Sequence, residues 1–254
     1  MSHQWSPGQY LKFAGHRLRP ALDLLARIDA DDAKTVFDLG CGAGNVTRLL
    51  AERWPRATVV GVDGSPEMLA RARAENPHLT WTQADLTAWA PLMPADVLYS
   101  NAALHWLHDH AALFPKLMAH LAPGGVLAVQ MPRNWSEPSH ACMHDAAGPW
   151  LAKLEPVLPG VPVAKPEDYY AILAGVAQAV DIWETVYLQI LEGDNAVAEW
   201  TKGSALKPVL DALDADERAA YFAAYSALLA RAYPRGADGK TPFPFRRLFI
   251  VARR

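Results

Sequence analysis

Cysteine is scarce in this chain of 254 residues: only Cys41 and Cys142 occur. Two cysteines build no disulfide framework, so a reducing compartment, the cytoplasm, is the expectation. Long apolar runs are also missing. Although 51% of the residues are hydrophobic, no stretch approaches the roughly 20 residues needed to cross a bilayer. The opening Met1-Ser-His-Gln-Trp-Ser-Pro7 has neither the basic nor the apolar region of a secretory leader. Neither sign of charge dominates: 24 Lys and Arg stand against 27 Asp and Glu, a net charge of −3. That leaves no basic footprint for nucleic acid. Internal repeats and low-complexity segments are absent as well. The length suffices for one domain with a sizeable core and an insertion.

What the chain does have is concentrated at residues 36–47, Val-Phe-Asp-Leu-Gly-Cys-Gly-Ala-Gly-Asn-Val-Thr. An apolar run reaches Asp38, glycines follow at 40, 42 and 44, and a helical apolar pattern begins at Val46. A strand, a glycine-rich turn and a helix bring backbone N–H groups and a helix N-terminus against a ligand. The spacing argues against a nicotinamide dinucleotide. That fingerprint wants its third glycine five residues after the first, where Asn45 stands; the glycine is Gly44.

Further strand patterns follow in order. Thr58–Val62 ends at Asp63, about 20 residues past the glycines, where an acid can take both ribose hydroxyls. Gly64-Ser-Pro then opens a helix, with Ser65 as N-cap and Pro66 in the first turn. Leu79–Thr82 leads to Asp85. Ala95–Ser100 leads to Asn101-Ala-Ala-Leu-His-Trp106. A Pro-Gly-Gly turn at 123–125 precedes a fifth strand running to Met131. Ile182–Ile190 and Phe245–Ala252 read as the last two strands. Alternating strands and helices predict an α/β, doubly wound sheet.

The order Asp-x-Gly-x-Gly-x-Gly, Asp63, Asp85 and Asn101 resembles that of the class I S-adenosylmethionine methyltransferases. The resemblance implies a Rossmann-like seven-stranded sheet whose last two strands form an antiparallel edge hairpin. It implies S-adenosylmethionine as cofactor. Asp38 would face its amino group, Gly40, Gly42 and Gly44 its methionine part, and Asp63 the ribose. Gly64 and Met68 would flank the adenosine, while Asp85 and Leu86 meet the adenine. Asn101, Tyr10 and Arg19 join this cofactor set. One domain, 1–254, is expected, with a cofactor core of about 31–131, 181–191 and 245–254. A mainly helical substrate cap would come from 1–20, 132–180 and 192–244.

Segments outside those motifs resemble one branch of the same family. They are Trp5-Ser-Pro-Gly-Gln-Tyr10-Leu-Lys-Phe13, Arg17-Leu-Arg-Pro20, Asn101–Leu107, Val129–Trp135, Glu137-Pro138, Val180–Trp183 and Arg247–Arg254. The branch esterifies a carboxylate of a small tricarboxylic acid, which is the partner this resemblance implies; no nucleic-acid or membrane partner is expected, and the oligomeric state is left open. A carboxylate is already ionised at pH 7 and needs no general base, so no catalytic residue beyond positioning groups is expected. A tricarboxylate calls for arginines. Arg133 and Arg17 lead, with His105, Trp106, Trp135 and Tyr169 as candidate walls of the substrate site. Arg246 and Arg247 rank below them because strand alternation points them to opposite faces. His105-Trp-Leu-His-Asp-His110 invites a metal reading, but polarity at a helix start explains it, and no metal is expected. Three other readings stay open: methylation of another anionic or quinone-like metabolite, a nicotinamide dehydrogenase, and either a regulator that binds S-adenosylmethionine without turnover or an RNA-modifying enzyme, the last opposed by the net charge of −3.

Overall fold

The computed structural model describes residues 18–160, 163–203 and 205–254. Tyr10 and Arg17, expected at the ligand, lie outside the described residues. The chain falls into two compact units. One comprises the described parts of Met1–Pro132, Pro162–Thr185 and Arg247–Arg254; the other comprises Arg133–Val161 and Val186–Arg246.

The first unit opens with α1 (Arg19–Ala26), which has Pro20 in its first turn and buries Ala21, Leu22, Leu24 and Leu25. Then come β1 (Thr35–Leu39), α2 (Asn45–Arg53), β2 (Thr58–Asp63), α3 (Pro66–Glu75), β3 (Thr80–Gln83) and β4 (Ala95–Asn101). A 3-10 turn, Leu104–Trp106, leads to α4 (His110–Ala119) and β5 (Leu121–Pro132). Strands covered on both faces read as continuous apolar runs, and Val36 and Leu39 of β1 and Val97, Leu98 and Tyr99 of β4 are wholly buried. Ser65 caps α3 as expected: its side chain accepts the Met68 N–H, and Pro66 stands in the first turn.

In the second unit α5 (Pro138–Asp145) is followed by a 3-10 turn (Gly148–Trp150) and α6 (Leu151–Leu154). Next in the chain, α7 (Pro166–Leu173) belongs to the first unit. β6 (Ala179–Leu191) and β7 (Thr241–Arg253) each run from one unit into the other, and α8 (Ala196–Lys202), α9 (Lys207–Asp211) and α10 (Ala215–Ala232) lie between them. α10 starts with a capping box in which Asp214 and Glu217 satisfy each other's backbone N–H groups.

The sheet order is β3-β2-β1-β4-β5-β7-β6. The pairs among β1 to β5 are parallel, and β7 runs antiparallel to β5. Two details differ from expectation. Pro123-Gly-Gly125 is not a turn before the fifth strand but an irregularity within β5: Ala95 pairs with Leu121, and Val97 already pairs with Val126. A Cβ at Gly125 would lie 2.8 Å from the Ala95 carbonyl oxygen, so only glycine fits that approach. Second, the segment 132–180, expected as cap throughout, is divided. α7 joins the sheet unit because Tyr169 is buried against α4, its hydroxyl 2.5 Å from His110 Nδ1 and its ring packed on Phe114.

Candidate active site

The glycine loop closes over the end of β2. The N–H groups of Gly40 and Cys41 both donate to the Val62 carbonyl (2.8 and 3.1 Å). Asp63 fastens the loop from below: one carboxylate oxygen accepts the Gly42 N–H and the other the Ser65 N–H, each at 2.8 Å. Gly40 has φ +76° and a Cβ there would meet Ala103 Cβ at 2.1 Å; Gly44 has φ +84° and its Cβ would meet the Trp81 ring at 2.4 Å. Left-handed backbone and close approach both demand glycine at these two positions. Trp81 was not singled out in the sequence. Its indole also covers Gly61, its register partner on β2. A tryptophan directly across from a strand glycine was the signal available.

Asp38 is buried near the end of β1 and accepts a 2.6 Å hydrogen bond from the Thr47 hydroxyl. Burial raises its pKa from 3.8 to about 7; the Thr47 bond opposes the rise and the negative charge of Asp63 adds to it. A pocket of about 620 Å³ is lined by Asp38, Gly40, Gly42, Asn101, Arg48 and Asn76, among others. Asn101 Oδ1 is buried with no hydrogen-bond partner among the described residues. The structure thus brings Asp38, Gly40, Gly42 and Asn101 together around one cavity, with Asp63 joined to it through Gly42.

The other expected cofactor residues do not line that pocket. Asp85 is exposed and accepts the Thr87 N–H at 2.9 Å; Thr87 and the Lys116 charge hold its carboxyl below the usual carboxylate range. Leu86 lies beside Gly40, its Cδ1 3.8 Å from where a Cβ would stand. A Cβ at Gly64 would meet only the Ala84 carbonyl oxygen, at an ordinary 3.7 Å, and Met68 is exposed. Arg19 is also exposed and faces Asp23 at 4.0 Å, one turn along α1.

Beyond β4 the backbone is strained: Ala102 has φ +53°, and its N–H donates to the Gln130 carbonyl at 2.9 Å. His105 is buried next and its ring packs at a 40° tilt against that of Trp106, which is largely exposed. Burial, with the positive charge of Arg247, pushes His105 down to about 3, so it is neutral. Tyr169 is fully buried and works in packing rather than as a wall of the site. Asp109 caps α4 by accepting the Ala112 N–H, and His110 Nε2 lies 3.0 Å from the Leu104 carbonyl. Asp109 and His110 are therefore occupied at the helix start, and among the described residues no three His, Cys, Asp or Glu side chains are grouped to hold a metal ion.

Arg133 and Trp135 belong to the other unit. The Arg133 N–H donates to the Arg246 carbonyl at 3.1 Å. Trp135 packs edge-on against His140, and Arg246 pairs with Glu137 at 3.4 Å. A cavity of about 410 Å³ in that unit, lined by Asn195, Ser226, Tyr233 and Arg235 among others, holds none of the expected site residues. Arg247, ranked low on strand alternation, is instead buried in the sheet unit, where its Nη1 donates to Gln130 Oε1 at 3.2 Å.

A methyltransferase-domain family profile matches residues 36–125. Trans-aconitate 2-methyltransferase from Azoarcus sp. (strain BH72) is 53% identical over 248 residues, covering 98% of each chain. The enzyme of that name from Streptomyces coelicolor is 49% identical over 98% of this chain and 86% of its own. Among solved structures, phosphoethanolamine N-methyltransferase 2 from Haemonchus contortus in complex with S-adenosyl-L-methionine aligns with a TM-score of 0.54 at 16% identity, over 99% of this chain and 58% of that one. The last likeness speaks for the fold alone; the near-full-length identities say more, and by them the chain belongs to the trans-aconitate 2-methyltransferase family.

Proposed function

We propose that this protein transfers a methyl group from S-adenosylmethionine to a carboxylate oxygen of trans-aconitate and so forms a monomethyl ester. The observation that carries the reading is the 53% identity to a trans-aconitate 2-methyltransferase across 98% of both chains. The pocket at the ends of β1 and β4 suits the cofactor. Asn101 Oδ1 offers a buried acceptor and Asp38 a negative charge, which together fit an ammonium group. At Gly40 and Gly42 no side chain blocks the cavity. A carboxylate has about four lone-pair sites; Asp63 uses two on backbone N–H groups and keeps capacity for a pair of ribose hydroxyls. One Asp85 oxygen takes the Thr87 N–H, leaving the other for an exocyclic amine. Bound there, S-adenosylmethionine supplies an electrophilic methyl group on positively charged sulfur.

The residues then have only to position. The bound cofactor would give its methyl to a carboxylate oxygen and keep the electron pair of the broken sulfur–methyl bond, so the chain's task is to aim that oxygen at the methyl and exclude water. No proton moves, so His105, neutral and buried, is not required as a base. Charge is neutralised along this path, so strong donors on the attacking oxygen slow it. Donors on the acid's other carboxylates orient the substrate without that penalty. The free thiols of Cys41 and Cys142 suit a cytoplasmic setting.

The test is turnover of methyl-labelled S-adenosylmethionine with trans-aconitate, cis-aconitate, citrate, isocitrate and a simple monoacid. Base-labile label on trans-aconitate above the others is expected. Binding of S-adenosylmethionine with no label on any acid moves the substrate to another class.

A further inference from the structure

Gln130 ends a row of buried polar groups at the carboxyl ends of β4 and β5. It pairs in register with Asn101 on β4 and with Phe249 on β7. Its side chain is wholly buried. Arginine has no acceptor, so the Gln130 atom facing Arg247 Nη1 at 3.2 Å is the amide oxygen. With the oxygen taken by Arg247, the amide nitrogen Nε2 is buried without a hydrogen-bond partner among the described residues. A buried amide donor left unmet is costly and rare in a settled core. Beside it stands a permanently charged guanidinium that is only 6% exposed and presents a planar array of N–H groups. The Gln130 carbonyl holds the strained Ala102, whose neighbour Asn101 lines the 620 Å³ pocket. An amide donor and a guanidinium side by side, one residue from the pocket of the reactive centre, match the two oxygens of one carboxylate.

We propose that Arg247 and Gln130 form the anchor for a carboxylate of the acid that is not methylated, and so set the preference for a polycarboxylate over a monoacid. This rests on the reading of the substrate as trans-aconitate. Because the anchor donates strongly, it lowers the nucleophilicity of the oxygens it holds; the carboxylate it grips is kept from the methyl group and another is presented. His105, which is neutral beside Arg247, adds no second charge, so the anchor takes one carboxylate and no more.

The experiment compares the full chain with Arg247→Met and Gln130→Glu, measuring kcat and KM for trans-aconitate and for an unsaturated dicarboxylic acid lacking one of its carboxylates, with S-adenosylmethionine affinity alongside. Gln130→Glu keeps the shape and supplies Arg247 with an internal carboxylate that competes with the substrate, so it guards against an Arg247→Met chain that fails to fold. Both variants are expected to raise KM for trans-aconitate about 100-fold, the loss typical of one buried charge-assisted pair. S-adenosylmethionine affinity should stay within about twofold. The advantage of the tricarboxylate over the dicarboxylate should collapse, an effect that mere loosening of the sheet does not produce. Equal losses on both acids, or an unchanged KM in Gln130→Glu, overturn the anchor. If the unaltered protein binds S-adenosylmethionine but methylates neither acid, the substrate reading is what fails.

Discussion

In the sheet unit, polar groups gather at strand ends: Asp38 under Thr47, Asp63 beneath the glycine loop, Gln130 against Arg247. In the unit of Arg133–Val161 and Val186–Arg246 they bind helix to helix. The Tyr221 hydroxyl donates to the Met143 carbonyl at 2.9 Å, Tyr225 donates to the Ser139 carbonyl at 2.7 Å, and the Tyr233 hydroxyl accepts the Ser139 N–H at 3.1 Å. Three tyrosines of α10 and its end thus satisfy the backbone of α5, inside an apolar cluster that includes Leu154, Val209 and Phe243. Every one of those groups is used up by its partner. In the sheet unit Asn101 Oδ1 and Gln130 Nε2 are left over. The second unit has leftover atoms too, both amide atoms of Gln189 and the Ser226 hydroxyl among the described residues. The contrast is one of place, since in the sheet unit the leftover Asn101 Oδ1 stands at the pocket beside the glycine loop.

Four substitutions or conditions test that contrast, from strongest to weakest. Gly40→Ala forces a side chain into left-handed backbone and against Ala103 Cβ, 2.1 Å away; a loss of about 2–4 kcal/mol is expected. Thermal melting should fall by several degrees and S-adenosylmethionine binding should vanish. A variant that still binds normally would show that the loop is not held as described.

Asp63→Ala removes the acceptor of both the Gly42 and Ser65 N–H groups and should weaken S-adenosylmethionine by about 2–4 kcal/mol. Isothermal titration reads this directly, and an unchanged Kd removes Asp63 from the cofactor site.

The third is a pH dependence. Asp38 has a pKa near 7 in the free protein, so below that pH it carries a proton and no charge to meet an ammonium. Affinity for S-adenosylmethionine should therefore fall as pH drops below about 7, by up to tenfold per unit. Asp38→Asn, which still accepts from Thr47, should bind weakly and without that slope. For the ligand-free fold the sign is opposite. The native pKa lies above the unfolded one, so the stability from a protonated Asp38 is full below about 4 and is lost as pH rises through about 7.

The smallest effect belongs to the second unit, away from the glycine-loop pocket. Tyr225→Phe leaves the Ser139 carbonyl without its donor and should cost about 1 kcal/mol of stability. S-adenosylmethionine affinity should not change. A drop in affinity as large as the Asp63→Ala effect would erase the distinction between the two units.

What was readable in the sequence follows the same line. The glycine loop, the Ser65 cap and the strands from Thr35 to Met131 are local patterns, each written in consecutive residues. The α10 start at Asp214 is local too. Arg247 was not legible. Its placement depends on β7 pairing beside β5, a contact between residues more than a hundred positions apart. Strand alternation says that Arg246 and Arg247 part ways but not which one turns inward. Tyr169 misled for a related reason: an aromatic at a helix start looks the same whether it lines a cavity or, as here, meets His110 in a core. The short helix α9 was missed because Lys207-Pro-Val-Leu-Asp211 is a single turn, too brief to carry a period.

The indole of Trp81 has a consequence for how this protein drifts over generations. One ring fills the space above both Gly44 and Gly61, within 2.4 Å of where either would carry a Cβ, and its N–H is tied to the Asn76 carbonyl at 3.2 Å. Neither glycine is free to become alanine while the tryptophan stays. Shrinking the tryptophan first exposes two bare stretches of backbone at once. The three positions form a lock with an obligatory order of change, so descendants should keep all three together or replace all three.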